Sequence, residues 1–128
     1  ACQRLEAGNS VVIFPEGRLN HGERMYRAGA GAALIAAQTG LPVVPVAFYT
    51  PPQFVRMIRS RMENRATLGG WQFGGPLFVN IGEPLRAMQA SSEYLALREF
   101  TDQVMISIST LVNELKTNEI PYSEAQEA

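Results

Sequence analysis

The most informative segment of this sequence is residues 11–18, which read Val11-Val12-Ile13-Phe14-Pro15-Glu16-Gly17-Arg18. The β-branched beginning is typical of a buried strand, and Pro15 has no N–H to donate to a sheet, so pairing should stop there. Gly17 can adopt a positive φ with its N–H open to a ligand, and the planar guanidinium of Arg18 suits a phosphate. Because ligands of α/β proteins usually bind beyond the carboxyl ends of strands, this turn is a candidate site. An ordinary turn with a surface ion pair fits the same residues.

Four blocks of sequence, in a consistent order, resemble one known family. Phe14-Pro15-Glu16-Gly17 resembles the F-P-E-G block of the glycerolipid acyltransferases, the family that includes 1-acyl-glycerol-3-phosphate acyltransferase. Here the block continues Arg-Leu-Asn rather than the usual Thr-Arg-Ser, which is closer to a subgroup with Arg directly after the Gly. The other three blocks are Arg27-Ala28-Gly29 before a helix of small residues, the V-P-V strand of residues 40–46, and the late i-G-x-P turn of residues 79–84.

One block of the family has no counterpart in this sequence. The family resemblance implies an H-x-x-x-x-D block, in which His is the general base and Asp orients it. The only histidine here is His21, and the residue five positions later is Tyr26. Residues 1–8 are typical of the last turns of a helix that ends in Gly. We therefore expect a C-terminal portion of a longer enzyme, with the His/Asp dyad upstream of Ala1, and no activity in the chain alone.

The resemblance also implies a fold and a reaction. The expected fold is α/β, a mixed, largely parallel sheet flanked by helices, glycerol-3-phosphate acyltransferase-like and incomplete at the N-terminus. Residues 1–117 would form part of a single domain, and residues 118–128 a polar, frayed tail. The expected reaction moves a fatty acyl group from acyl-CoA or acyl carrier protein to the free hydroxyl of a lysophosphatidate-like acceptor in phospholipid biosynthesis. The acyl thioester is a co-substrate, and no cofactor is expected.

The candidate site residues carry over from the matching blocks. The resemblance implies that the substrate-binding residues are Glu16, Gly17, Arg18 and Arg27. It implies a structural role in the motifs for Phe14, Pro15 and Pro45. A carboxylate repels phosphate, so Glu16 should accept from a substrate hydroxyl or fix an arginine, while Arg18 and Arg27 hold the phosphate. Backbone N–H groups around Gly17 would add an anion-binding nest. No metal site is expected, because one His and one Cys cannot build a zinc centre.

Two rival functions fit the same residues. An acyltransferase with Arg after the Gly would serve a different lysolipid acceptor. A non-catalytic anion- or lipid-binding module would have kept the phosphate clamp and lost the dyad. An H-x-x-x-x-D block shortly upstream would support the enzyme.

Composition and charge limit the classes of ligand and surface that we expect this protein to bind. Hydrophobic residues make up 46% and charged residues 18%, as in a globular protein, and the one cysteine, Cys2, suits a reducing compartment. Residues 16–65 carry a net charge of about +4 and residues 83–128 about −5, which favours an anionic ligand or surface at one end. The pI of about 5.8 argues against nucleic acid. We expect a cytoplasmic protein that is peripheral to a membrane or anchored at it.

Hydrophobic periodicity predicts the remaining elements. We expect a helix over residues 30–39 closed by Gly40, and a strand over residues 42–48 that Pro45 demotes to an edge or a bulge. The loop and helix between the first strand and this one favour a right-handed parallel crossover. Residues 53–65 fit an amphipathic helix whose arginines form either a solvated face or a membrane-facing one. The other expected elements are a turn or short edge element at residues 69–76, a strand over residues 77–81, and a long helix capped by Ser91 or Ser92 with Glu93 in its first turn.

Overall fold

The computed structural model describes residues 1–17, 25–62, 65–87 and 93–118. The elements in chain order are α1 (Cys2–Glu6), α2 (Gly31–Thr39), β1 (Val46–Tyr49), β2 (Val55–Met62), β3 (Arg65–Gln72), β4 (Phe78–Ile81) and α3 (Tyr94–Thr117). A single 3-10 turn, Pro52–Phe54, leads into β2. Among the described residues, no helix is both long enough and apolar enough to cross a membrane.

The core lies where α2 and α3 meet beside the first sheet. Strands β1 and β4 pair antiparallel from Val46↔Ile81 to Tyr49↔Phe78, and a bridge between Val43 and Leu85 continues the pairing. Short side chains on α2 let it approach α3 closely. The cluster of buried side chains comprises Ala33, Ala36, Ala37, Leu97, Phe100 and Val104. Leu97, Phe100 and Val104, spaced three and four residues apart, therefore form an apolar stripe of α3 that packs into the core.

The prediction of a largely parallel sheet is wrong for the described residues. They form two sheets of two strands each, and both pairs are antiparallel. Residues 11–14 pair with no described strand, and Val12 and Phe14 are 81% and 75% exposed. A β-branched run such as residues 11–14 forms a strand only when the edge of another strand is available to pair with it. The strand β1, to which the crossover was expected to lead, pairs with β4 instead. The predicted first strand and the parallel crossover from it are thus absent from the described structure.

The prediction of a helix over residues 53–65 is also wrong. Residues 55–62 form β2, which pairs along its whole length with β3. Phe54, Ile58 and Met62 stand four apart and suggested a helix, but strand pairing with residues 65–72 decides the conformation. The turn or short edge element predicted at residues 69–76 does not begin at residue 69, because Gly69 and Gly70 lie inside β3.

The helix predictions fare better. Helix α2 ends where expected, because Gly40 takes a left-handed φ of 67° and its N–H donates to the carbonyl of Ala36 at 2.8 Å. Helix α3 exists as expected, but its N-cap is Glu93, which makes no side-chain capping bond and precedes the first turn rather than lying in it. The predicted caps Ser91 and Ser92 lie outside the described residues.

Pro45 does not interrupt a strand as predicted. It precedes β1, is fully buried, and its carbonyl accepts a hydrogen bond from the N–H of Gly82 at 2.9 Å. Its missing N–H therefore costs the β1–β4 ladder no bond. The β4 strand predicted over residues 77–81 is confirmed as Phe78–Ile81. The predicted tail lies outside the described residues beyond Asn118.

Candidate functional site

The Pro-Glu-Gly segment forms a tight turn. The N–H of Gly17 donates to the carbonyl of Phe14 at 3.0 Å, which closes a four-residue turn with Pro15 at its second position. Gly17 takes a φ of 64°, the left-handed conformation that the sequence predicted. The same bond corrects one expectation, because the Gly17 N–H is occupied by Phe14 rather than open to a ligand.

Two hydrogen bonds join this turn to residues 26–29. A carboxylate oxygen of Glu16, Oε2, accepts from the backbone N–H of Tyr26 at 2.7 Å. The carbonyl of Pro15 accepts from the N–H of Gly29 at 3.2 Å. Arg27 lies between the two bonded residues and is exposed. The structure therefore brings Pro15, Glu16 and Gly17 together with Arg27, which are ten or more positions apart in the sequence.

Glu16 has a positioning role that the sequence alone did not suggest. Its short bond to a backbone N–H is charge-assisted, and such bonds are roughly twice as strong as neutral ones. By fixing Tyr26, the carboxylate fixes the backbone from which the Arg27 side chain extends. Acceptance from a substrate hydroxyl, or contact with an arginine, stays a prediction.

Helix α3 supports the same segment through Arg98. One guanidinium nitrogen of Arg98, Nη1, donates to the carbonyl of Ala28 at 2.8 Å, and Nη2 contacts Asp102 Oδ1 at 3.2 Å. The Arg98 side chain is only 13% exposed, and Ala28 is buried. Sequence reasoning missed this residue, since a charge beside an apolar helical stripe is normally solvated. The available signal was the spacing of Arg98 and Asp102, which suits an ion pair on one helix face.

An open cleft of about 400 Å³ is lined by residues 25–28 on one side and by residues 102–109 of α3 on the other. Arg27 and Asp102 are its charged lining residues, and the side chains of Met25, Met105 and Ile106 are apolar. A cleft of this kind offers a cation for an anionic group and an apolar wall for a short hydrocarbon segment. The complete lining is Met25, Tyr26, Arg27, Ala28, Asp102, Met105, Ile106 and Ser109.

The remaining predicted residues are placed differently. Arg18 and His21 lie outside the described residues. Phe14 begins the turn but is exposed, and Pro45 is buried beside Gly82. No described hydrogen bond links Pro45 to the turn. In the described part of the chain, no group of three or more His, Cys, Asp or Glu side chains is placed to hold a metal ion.

Comparison with known proteins bears on the same region. Residues 1–49 match the model of the family described as Acyltransferase. The matched segment contains the Glu16 turn, Arg27 and helix α2. No solved structure matches the chain. These 49 residues are therefore similar to the acyltransferase family, at a level that does not distinguish its subfamilies.

Proposed function

We propose that the turn at residues 14–17 and the neighbouring Arg27 form the acceptor-binding part of an acyltransferase that acts on a lysophosphatidate-like lipid. The observation that carries the proposal is the pair of hydrogen bonds that Glu16 and Pro15 accept from the N–H groups of Tyr26 and Gly29, which holds Arg27 beside the turn. Arg18 directly follows the turn in sequence. Planar guanidinium groups suit the charge and the geometry of a phosphate monoester, so we assign its binding to Arg27 together with Arg18.

The proposed reaction makes an ester from a thioester. The acceptor hydroxyl oxygen attacks the carbonyl carbon of acyl-CoA or acyl carrier protein, and its proton passes to a general base. The carbon–sulfur bond then breaks, and the leaving thiolate takes up a proton. The acceptor phosphate, held by Arg18 and Arg27, keeps the hydroxyl in place for attack, which contributes to rate as well as affinity. The sequence has no H-x-x-x-x-D block, so the proposal assigns the base to residues outside these 128.

Kinetics of the full-length enzyme test the clamp. Arg18→Ala or Arg27→Ala should lower kcat/KM for the phosphorylated acceptor by roughly tenfold or more, because a charged hydrogen bond is lost. The KM of the acyl donor should change much less. Arg4→Ala removes the same charge from an exposed position on α1 and is the matched control. If the substitutions impaired the kinetic constants for the acceptor and for the acyl donor equally, the assignment of Arg18 and Arg27 to the acceptor phosphate would be wrong.

A non-catalytic lipid-binding module is the second candidate. The observation in its favour is again the missing H-x-x-x-x-D block, since nothing in the chain can serve as the paired general base. Both candidates predict that residues 1–128 alone transfer no acyl group from a thioester to a lysophospholipid. They differ for the full-length protein, where transfer supports the enzyme and phosphate-dependent binding without transfer supports the module. Turnover by residues 1–128 alone would return His21 to consideration.

The acceptor in this proposal resides in a bilayer. The enzyme would therefore work at a membrane surface, as a cytoplasmic protein peripheral to the lipid or anchored at it. Another lysolipid remains an alternative acceptor, and its headgroup would be distinguished by the same comparison of kcat/KM values.

A further inference from the structure

Strands β2 and β3 form a long two-stranded ribbon, defined as residues 55–62 and 65–72. Its eight paired positions run from Val55↔Gln72 at the base to Met62↔Arg65 near the tip. At strand geometry this is roughly 25 Å of paired chain. The two strands pack mainly on each other and make no extensive contact with a helix or with the first sheet. The ribbon is inserted between β1 and β4, which are themselves paired.

The base of the ribbon is fixed to the domain. The Thr50 hydroxyl donates to Gln72 Oε1 at 3.0 Å. The amide nitrogen of Gln72 donates to the carbonyls of Gly74, Gly75 and Pro76 at 3.2, 3.2 and 3.1 Å. These bonds hold the chain where it returns towards β4. The base therefore has a defined attachment, and the rest of the ribbon presents both faces outward.

Among the side chains that the structure describes, each face of the ribbon carries two arginines and two large apolar residues that are well exposed. Directly paired residues of an antiparallel ribbon share a face. By this register one face carries Arg56, Ile58, Arg65 and Trp71, and the other carries Met57, Arg59, Arg61 and Leu68. The apolar members are well exposed, at 37% for Ile58, 44% for Leu68, 47% for Met57 and 56% for Trp71.

Two glycines let these apolar side chains lie flat across the ribbon. A Cβ on Gly69 would come within 3.3 Å of the indole nitrogen of Trp71. A Cβ on Gly70 would come within 3.1 Å of Val55 and 3.5 Å of the Met57 sulfur. The indole and the aliphatic chains therefore cover the backbone of the ribbon on both faces, close to the arginines.

The ribbon has the charge and the exposed surface of an element that meets an anionic partner. Its described residues include four arginines and no acidic residue, and the sequence places one acid, Glu63, in the connection at the tip. A two-stranded ribbon without extensive packing against other elements is marginally stable in water, and exposed apolar side chains mark interaction surfaces. A partner that satisfies both the arginines and the apolar side chains would stabilise it.

We propose that this ribbon docks the protein onto an anionic lipid surface, where it lies at the depth of the headgroups. Because the apolar side chains are divided between the two faces, the ribbon enters the headgroup layer edge-on rather than flat. Arginines can then contact lipid phosphates while Ile58 and Trp71 on one face, and Met57 and Leu68 on the other, reach the boundary of the acyl chains. Nucleic acid fits less well, because the ribbon offers one aromatic ring for stacking and its aliphatic side chains have no place on a phosphate backbone. Face-to-face pairing with a second copy would bring like charges together. The inference does not depend on acyl transfer.

Fluorescence of the sole tryptophan provides a direct test. Trp71 lies on the ribbon, so its emission reports the environment of this element in the unmodified chain. Vesicles of phosphatidylglycerol and phosphatidylcholine should shift the emission to shorter wavelength, and lipids brominated along the acyl chain should quench it. Vesicles of phosphatidylcholine alone should do neither. Raising the salt to about 1 M should weaken binding, because the Debye length falls to about 3 Å.

Paired substitutions separate the ribbon from general charge. Arg59→Gln with Arg61→Gln, and separately Arg56→Gln with Arg65→Gln, should each lower affinity for the anionic vesicles by roughly tenfold or more in co-sedimentation. The matched control is Arg4→Gln with Lys116→Gln, which removes the same charge from exposed positions on α1 and α3. The control should bind like the parent chain, and circular dichroism should show that every variant keeps its helices.

Several results would overturn the proposal. Trp71 emission that stays unshifted on anionic vesicles would overturn it. An equal loss of affinity in the control variant, Arg4→Gln with Lys116→Gln, would also overturn it. A Trp71 shift produced by duplex DNA but not by vesicles would reassign the ribbon to nucleic acid. A shift that depends on protein concentration without lipid would reassign it to self-association. Because the vesicles contain no lysolipid and no acyl donor, none of these results bears on acyl transfer.

Discussion

Glu16 and Arg98 hold the same short stretch of backbone, residues 26–29, through different atoms. Glu16 accepts from the N–H of Tyr26, and Arg98 donates to the carbonyl of Ala28. A sequence can suggest Glu16, because Pro-Glu-Gly is a recognisable turn that follows an apolar run. It cannot suggest Arg98, because the bond to Ala28 spans 70 positions and depends on how α3 packs. Both residues position Arg27 by fixing the backbone on either side of it.

Arg98→Ala should loosen this stretch without touching a bound ligand. The buried Ala28 carbonyl would lose a charged donor, at a cost of about 1.5–3 kcal/mol in the free energy of unfolding measured with urea. Amide hydrogen exchange of Tyr26 and Gly29 should accelerate more than exchange in the middle of α3. Lysophosphatidate affinity should fall as a consequence.

Two further variants separate positioning from general destabilisation. Arg98→Lys keeps one donor and should restore part of the loss in affinity. Asp102→Asn leaves the bond to Ala28 in place and should change the Tyr26 and Gly29 exchange rates little. Unchanged exchange at both amides in Arg98→Ala would refute the positioning role.

At the scale of single elements, the sequence predicts helices better than strands here. The small residues before Gly40 and the apolar stripe of α3 are local signals, and local hydrogen bonds complete a helix. The hydrophobic pattern of residues 55–62 fits both the period of a helix and that of a strand, and pairing with residues 65–72 decides their conformation. The Gly69–Gly70 pair looked like a turn but gives room for side chains from the ribbon. Strand pairing is non-local, so periodicity within one segment cannot specify it.

Two glycine substitutions test how the elements pack. Gly82→Ala should destabilise the chain by about 1–3 kcal/mol, since its Cβ would lie 2.9 Å from Pro45 and 3.1 Å from Leu111. Gly31→Ala, at the start of α2 where no neighbouring atom lies within 4 Å, should instead stabilise it by about 0.5 kcal/mol. Urea unfolding followed by circular dichroism measures both. A Gly82→Ala variant as stable as the parent would contradict the close packing of β4 on Pro45 and α3.

For the whole molecule, the sequence predicts the class and misses the sheet. An α/β fold is confirmed, whereas the described strands are all antiparallel. One face of the β1–β4 sheet places Phe48, Val79 and Ile81 in solvent, at 56%, 47% and 67% exposed, and the apolar residues 11–14 are unpaired. The family resemblance names both the Glu16 turn and Arg27, and the turn accepts hydrogen bonds from Tyr26 and Gly29, which lie on either side of Arg27. A role of these residues in substrate binding stays a prediction.

The proposed function depends most on recognition of an acceptor phosphate by Arg27 and Arg18. The most direct measurement is calorimetric binding of a short-chain lysophosphatidate, below its micelle concentration, to residues 1–128, with the matching monoacylglycerol as the ligand lacking phosphate. We expect the phosphate-bearing lipid to bind at least about tenfold more tightly than the monoacylglycerol. This preference should be lost in Arg18→Ala and in Arg27→Ala, but not in Arg4→Ala. Equal affinity for the two lipids, or a preference that survives both substitutions, would contradict it.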